Sequence, residues 1–215
     1  MAKRYIYFVN KKNHYNKQLF SFQWFSGFSV SQYRKSSISL INSFHQKYPK
    51  LKILEVSSAS SKNLGIQASA LNLTITSKKG INYSVEQLFQ AGKVFEKAGS
   101  QLNLLKFNSR ELKKKIKIIS KNDKLIGFNL FNHSFPLEPK TFFYNWLYIH
   151  ALQQNKNIAQ QILKYDAFSD IYFNPQRSIN SQAEACARFV SLSRQNLLLV
   201  ALNDFNSFKH YVYKV

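Results

Sequence analysis

The sequence predicts an α+β fold that is rich in helices, with a small β-sheet and an N-terminal β extension. At the N-terminus, two short runs of aromatic and β-branched residues have the composition of strands. Further along the chain, capping residues precede segments in which apolar residues recur with helical spacing. Since 45% of the 215 residues are hydrophobic and 15% are aromatic, the chain can fill a core, and its length favours one domain.

Short elements dominate the first part of the chain. The pattern predicts strands over residues 4–9 and 18–24, a helix over 31–48 that Pro49 closes, a strand over 52–56, a serine-rich loop over 57–63 and an extended segment over 66–76. Gly80 then marks a turn.

The C-terminal part is mainly helical. Glu138 and Pro139 are expected to begin a largely buried helix that runs to about residue 154, because proline suits the first helical position. The pattern then predicts a helix over 157–165, a polar loop over 170–180, a helix over 181–194 capped by Ser181 and Glu184, and a buried strand over 197–202. Cys186 falls on the apolar face of its helix, as a small buried hydrophobe would.

The charge of the chain points to a polyanionic partner. Lys and Arg number 31 against 10 Asp and Glu, which gives a formal net charge of +21. Nucleic acid is the first partner to consider for such a positive charge, although a membrane surface or an acidic protein would also be attracted. A bias in codon usage would explain part of the excess without any partner. With one cysteine, no intramolecular disulfide is possible, and a reducing cytoplasm fits. No run approaches the roughly 20 apolar residues that cross a bilayer, so we expect a cytoplasmic protein without a membrane partner.

The clearest candidate for function lies in residues 84–95. Ser84 and Gln87 form a capping-box pattern, so a helix is predicted to begin there and to continue to residue 95. At helical spacing, Glu86, Gln90 and Lys93 line up beside the core-facing side. A carboxylate, an amide and an amine are therefore presented together.

These groups suit the cleavage of a glycosidic bond. That reaction needs a carboxyl group to handle protons and stabilisation of an oxocarbenium-like centre, and Glu86 can supply the first. Lys93 could bind a phosphate, polarise an oxygen, or attack an anomeric carbon if desolvation lowers its pKa. The alternative is a solvated helix face with a weak Glu/Lys pair. The motifs of phosphate loops, zinc hydrolases and serine hydrolases are missing, so neither a metal nor a cofactor is expected.

A basic stretch over residues 106–124 is the most positive part of the chain. Its charges cover more of a helix circumference than usual, and phosphate contact competes there with an ordinary solvated face. The candidate nucleic-acid-binding residues are Lys106, Arg110, Lys113, Lys114, Lys115 and Lys117.

The sequence from Ser84 to Glu96, Ser-Val-Glu-Gln-Leu-Phe-Gln-Ala-Gly-Lys-Val-Phe-Glu, resembles the central motif of the NADAR (YbiA-like) superfamily, usually Val-Glu-His-x-Phe-Gln-Ala-x-Lys-Phe. Segments 69–73, 139–163 and 178–180 stand where that family has further motifs, with departures at Gln87, Leu73 and Phe173. Residues 22–32 and 135–140 resemble the branch that acts as antitoxin to guanine-modifying DarT-type toxins. The resemblance implies a single NADAR domain over 1–215, with a branch-specific part over 1–60 and a core over 61–200.

What the resemblance implies is an ADP-ribosylglycohydrolase that removes ADP-ribose from guanine in DNA and reverses a partner toxin. Glu86 and Lys93 would then be catalytic, and the ADP-ribose pocket would be lined by Asn72, Tyr83, Phe89, Gln90 and Asn180. The partners would be ADP-ribosylated DNA and a DarT-type toxin, bound by a monomer. Two alternatives stay open, an N-glycosidase for riboflavin-pathway intermediates and a non-catalytic protein that binds nucleic acid or the toxin.

Overall fold

The computed structural model describes residues 1–214, which form two compact units. The first unit contains Met1–Ser69 and the chain from Leu152 onward, and the second contains Ala70–Ala151. Helices and small sheets occur in both units, so the predicted α+β class is confirmed. Within the described residues, no helix is both long and apolar enough to cross a membrane.

A four-stranded sheet with the order β2-β1-β10-β3 forms the centre of the first unit. Its strands are β1 (Ala2–Val9), β2 (Tyr15–Phe22), β3 (Ile53–Glu55) and β10 (Ala167–Ser169). The hairpin of β1 and β2 confirms the two N-terminal strands, which begin two or three residues earlier than predicted.

Helices cover both faces of this sheet. They are α1 (Val30–Lys47), α2 (Asn63–Gln67), α6 (Lys156–Ile162), α7 (Gln182–Arg194), α8 (Leu198–Ala201) and α9 (Phe205–Tyr213). Side chains of β1 alternate between the two layers, so that Ile6 and Phe8 join Phe44 of α1 in one core. On the opposite face Tyr7 stacks on Tyr15, and α7 packs against β1 and β10. Aromatic residues of the first unit therefore lie on both faces of this sheet.

Strands β4 (Thr74–Thr76) and β5 (Asn82–Ser84) open the second unit as a hairpin. Gly80 lies in their turn with a φ of +75°, which confirms the turn that this glycine predicts. A sheet with the order β7-β6-β8-β9 follows, formed by β6 (Lys93–Phe95), β7 (Gly99–Ser100), β8 (Leu125–Leu130) and β9 (His133–Phe135). Its helices are α3 (Val85–Ala91), a 3₁₀ helix over Leu102–Lys106, α4 (Ser109–Ile119) and α5 (Phe142–Gln154).

Three predicted elements are wrong in extent or type, and one predicted capping bond is absent. Residues 66–76 are not one extended segment, because α2 occupies their start and only Thr74–Thr76 form a strand. The helix predicted to begin at Glu138 and Pro139 begins at Phe142. Residues 197–202 form the short helix α8 and not a buried strand, and Leu199 is 71% exposed. Helix α7 occupies the predicted residues with Ser181 as its N-cap, but Ser181 makes no side-chain capping bond, and Glu184 pairs with Arg188 at 2.8 Å.

Other predictions hold. Helix α6 and the loop over 170–180 lie close to where the pattern placed them. Cys186 is completely buried in α7, as its apolar position indicated. These elements have strong local signals, which is why sequence alone locates them.

Candidate active site

The start of α3 is fixed by a complete capping box. Ser84 Oγ accepts a hydrogen bond from the Gln87 amide at 3.1 Å, and Gln87 Oε1 accepts one from the Ser84 amide at 3.0 Å. Two amides that the helix itself leaves unpaired are thereby satisfied. The first turn is held rigidly at the point from which the Glu86 side chain projects.

Glu86 is a buried carboxylate with two partners. The residue is 9% exposed, and its Oε1 accepts a hydrogen bond from Gln90 Nε2 at 3.0 Å. The same oxygen lies 3.2 Å from Nζ of Lys113, whose side chain is 66% exposed. Glu86 therefore does not lie on a solvated helix face, and that alternative is wrong for this carboxylate.

Gln90 connects the carboxylate to the amine. Its Nε2 donates to Glu86, while its Oε1 accepts a hydrogen bond of 2.7 Å from Lys93 Nζ. Because each end of the amide faces the group of opposite character, the orientation of Gln90 is determined by its neighbours. The three side chains form one chain of hydrogen bonds, hereafter the Glu86–Gln90–Lys93 relay.

Burial makes the amine of Lys93 unusually acidic. The pKa of Lys93 is lowered from 10.5 to about 8, mainly because burial desolvates the amine; the charge of Glu86 opposes this lowering and the charge of Lys113 adds to it. At pH 7.5 about a quarter of such an amine is neutral, compared with about a thousandth for an ordinary lysine. Lys93 can therefore act as a nucleophile near neutral pH, which an exposed lysine does poorly.

The helix that carries Glu86 is shorter than predicted. It ends at Ala91, and Lys93 belongs to β6, where it pairs with Phe128 of β8. The Gly92 carbonyl accepts a hydrogen bond from the Asn129 amide at 2.7 Å, so pairing with β8 replaces the last predicted turn of helix. The side chain of Lys93 nevertheless returns to Gln90, so the predicted grouping of the three residues is found on a different backbone.

Phe89 lies under the amine. Lys93 Nζ is 5.1 Å from the centroid of the Phe89 ring, within the range of a cation–π contact. The ring itself packs against Phe128, Phe143 and Tyr144, with centroid distances of 5.8, 6.0 and 5.1 Å. Phe89 is thus held by the core on one side and touches the relay on the other.

Two further predicted pocket residues flank α3 in the second unit. Asn72 lies in a segment joined to the start of the helix, where Glu86 N donates to Ala70 O at 2.8 Å and Val85 N to Leu73 O at 2.9 Å. Tyr83 lies in β5 opposite Ile75 and directly precedes the capping residue Ser84. Asn72 thus belongs to the segment that is hydrogen-bonded to the backbone at Glu86. Tyr83, in the described part of the chain, has no hydrogen bond or ring contact with the relay.

Asn180 belongs to the first unit, at the end of the loop between β10 and α7. Its Oδ1 is buried without a hydrogen-bond partner, and so is Oδ1 of Asp170 at the start of that loop. Burial, together with the charge of Glu55, raises the pKa of Asp170 to about 7. Buried polar atoms without partners are costly, and a polar ligand is one way of satisfying them.

The basic stretch forms the exposed face of α4 and the segment before it. Lys106, Arg110, Lys113, Lys114, Lys115 and Lys117 are all exposed. The opposite face is apolar, since Leu112 and Ile116 pack with Ala91 and Phe95 in a common core. The helix is thus amphipathic despite its many charges, and Lys113 joins it to the relay through Glu86.

Sequence reasoning missed two residues of this site, Gly92 and Lys113 as a partner of Glu86. A Cβ at Gly92 would come within 2.7 Å of Phe143 Cζ, so the close approach of two elements requires glycine there. The sequence does hint at a special role for Gly92, because glycine is unfavourable in the interior of the helix predicted there. The Lys113–Glu86 pair has no local signal. Among residues 1–214, no group of three or more His, Cys, Asp or Glu is placed to hold a metal ion.

One family model matches this chain over residues 2–215, and its description is DarT1-associated NADAR antitoxin. The chain belongs to this family. A NADAR antitoxin has a toxin partner, and the suspected resemblance to the antitoxins of DarT systems is thereby confirmed. No curated protein matches the chain. The Glu86–Gln90–Lys93 relay lies within the stretch that matches the NADAR model.

Proposed function

We propose that this NADAR protein is a cytoplasmic hydrolase that removes ADP-ribose from guanine bases in DNA and so reverses the modification made by a DarT-type toxin. The observation that carries the proposal is the relay, in which a buried carboxylate and an amine with a pKa of about 8 share one amide. Both groups belong to a chain whose match to an antitoxin family extends over residues 2–215.

In the first route Lys93 attacks the sugar. Its neutral amine forms a bond to the anomeric carbon as the bond to the guanine amino nitrogen breaks, and that nitrogen regains a proton. Glu86 takes the proton that the attacking amine loses and delivers one to the leaving nitrogen. The sugar ring then opens to an imine, and water hydrolyses the imine. The products are ADP-ribose, unmodified guanine and the free Lys93 amine, with one water consumed.

In the second route water is the nucleophile. Glu86 removes its proton, and protonated Lys93 stabilises negative charge on the substrate without forming a bond. The two routes require opposite protonation states of Lys93. Activity therefore rises with pH through about 8 in the first route and falls through the same range in the second.

The charge of the protein suits a DNA substrate. The exposed lysines and arginine of the α4 region supply sequence-independent phosphate contacts. The base that carries ADP-ribose must be extruded from a duplex, whereas in a single strand it is already accessible. A net charge of +21 exceeds what a small-molecule substrate needs, which favours the DNA reaction over an N-glycosidase for metabolites.

Protection of cells tests the proposal. Wild-type protein should rescue growth when a guanine-modifying DarT-type toxin is expressed, and E86Q should not, although it keeps the shape of the side chain. If E86Q protected as well as wild type, binding of the toxin or of DNA would explain the antitoxin, and catalysis would not.

Borohydride distinguishes the routes. Reduction during turnover should trap a sugar adduct on wild-type protein and none on K93A if the imine forms. Absence of an adduct, together with activity that falls above pH 8, would select the second route.

A further inference from the structure

A basic cleft lies within the first unit, separate in sequence from the relay residues. Its volume is about 630 Å³, in the usual range of ligand clefts. The end of α1, the residues leading into β3, the start of α2 and the end of α6 form its walls. Four lysines line it, Lys50, Lys52, Lys62 and Lys164, and no Asp or Glu does.

These lysines have no acidic partner in the described residues, as the only salt bridges found there involve Lys113, Arg188 and Arg194. The nearest carboxylate in sequence, Asp166, is already paired. Its Oδ1 accepts from Arg194 Nη1 at 2.9 Å, and its Oδ2 accepts from the Lys52 amide at 3.0 Å. The charge of the four lysines is therefore left for a ligand. The ends of α1 and α6 contribute about half a negative charge each, which does not offset four cations.

An aromatic ring lies among these charges. Tyr165 lines the cleft, and Lys62 Nζ lies 4.9 Å from its ring centroid and donates to its hydroxyl at 3.2 Å. Lysines beside a partly exposed aromatic ring such as Tyr165 are the combination that single-stranded nucleic-acid sites use, where cations hold phosphates and rings stack on bases.

We propose that this cleft binds the phosphodiester backbone of single-stranded DNA, as a second DNA contact besides the basic face of α4. The inference rests on DNA as the polymer that carries the substrate in the proposed function. The ligand is recognised by repeated phosphates and one stacked base, so binding is independent of sequence. The cleft contributes affinity for the strand and takes no part in bond cleavage.

The test measures binding of an unmodified 20-nucleotide single strand by fluorescence anisotropy at several salt concentrations, so its result does not depend on hydrolysis. The variant is K50Q/K52Q/K164Q in the full chain. The control K11Q/K12Q/K35Q removes the same charge from exposed positions of the first unit that do not line the cleft. Urea unfolding confirms that both variants are folded.

The cleft variant should bind about tenfold more weakly or worse, and the slope of log K against log salt should fall by about two, because each phosphate contact to a single strand contributes about 0.7. The control should lose less than threefold. Y165L should weaken binding about fivefold through lost stacking, with an unchanged salt slope. If the cleft variant and its control lost the same affinity, the proposal would be overturned, and the net positive charge of the protein would explain the binding without a specific site. Because the strand is unmodified, this assay reports binding alone, so failure of this proposal is distinguishable from failure of the proposed reaction, which only an ADP-ribosylated strand tests.

Discussion

Replacing Lys93 with methionine should stabilise the protein at neutral pH. Burial lowers the pKa of Lys93 from 10.5 to about 8, and each unit of pKa corresponds to about 1.4 kcal/mol. Holding the amine charged at pH 7 therefore costs the folded state about 3 kcal/mol. Methionine of similar shape removes this cost but also removes the hydrogen bond from the charged amine to Gln90, worth about 2 kcal/mol. The expected net gain in the free energy of unfolding is about 1 kcal/mol.

The gain must depend on pH. Between about pH 8 and 10.5 the unfolded chain keeps the lysine proton that the folded chain has lost, so wild type gains stability relative to K93M as pH rises. The advantage of K93M should therefore be complete below pH 8 and disappear by about pH 10.5.

Urea unfolding of wild type and K93M at pH 7, 8.5 and 10 measures this difference, and other titrating groups cancel in the comparison. K114M is the matched control, because Lys114 is exposed on α4 and its replacement should change stability by less than about 0.5 kcal/mol at any of these pH values. If K93M were no more stable than wild type at pH 7, or if its advantage did not change with pH, the claim that burial lowers the pKa of the Lys93 amine would be refuted.

Three other substitutions test the surroundings of the relay. K113Q removes a like charge that lowers the pKa of Lys93, so the pH–rate limb governed by Lys93 should move to higher pH, and an unmoved limb would contradict the coupling. S84A removes the bond to the Gln87 amide and should cost about 1 kcal/mol in urea unfolding, so an unchanged midpoint would count against the capping box. G92A places a Cβ against Phe143 and should cost about 1–3 kcal/mol, with part of the loss recovered in G92A/F143L; a neutral G92A would show that the close approach is not as described.

Local chemistry explains what the sequence could predict of the site. The Ser84/Gln87 capping box, the start of α3 and the grouping of Glu86 with Gln90 all follow from residues within one or two turns. The two aromatic N-terminal strands could be predicted for the same reason, since their composition and the turn between them are features of neighbouring residues.

The end of α3 could not be predicted in the same way. Residues 92–95 have acceptable helical spacing, but pairing of β6 with β8, more than 30 residues later, decides their conformation. The ion pair between Lys113 and Glu86 likewise joins two elements through tertiary packing of α3 on α4. At residues 197–202 a helix was mistaken for a strand. The apolar run predicts a buried strand, but the structure has a short helix in which Leu199 and Val200 are exposed.

Release of ADP-ribose from a single-stranded oligonucleotide carrying one ADP-ribosylated guanine tests the central claim most directly. Chromatography should show wild-type protein yielding free ADP-ribose and intact oligonucleotide, with E86Q at least about 100-fold slower although it binds the unmodified strand at least as tightly as wild type. No release by the wild type, or release by E86Q at the wild-type rate, would contradict the assignment of Glu86 and Lys93 as the groups that cleave the bond.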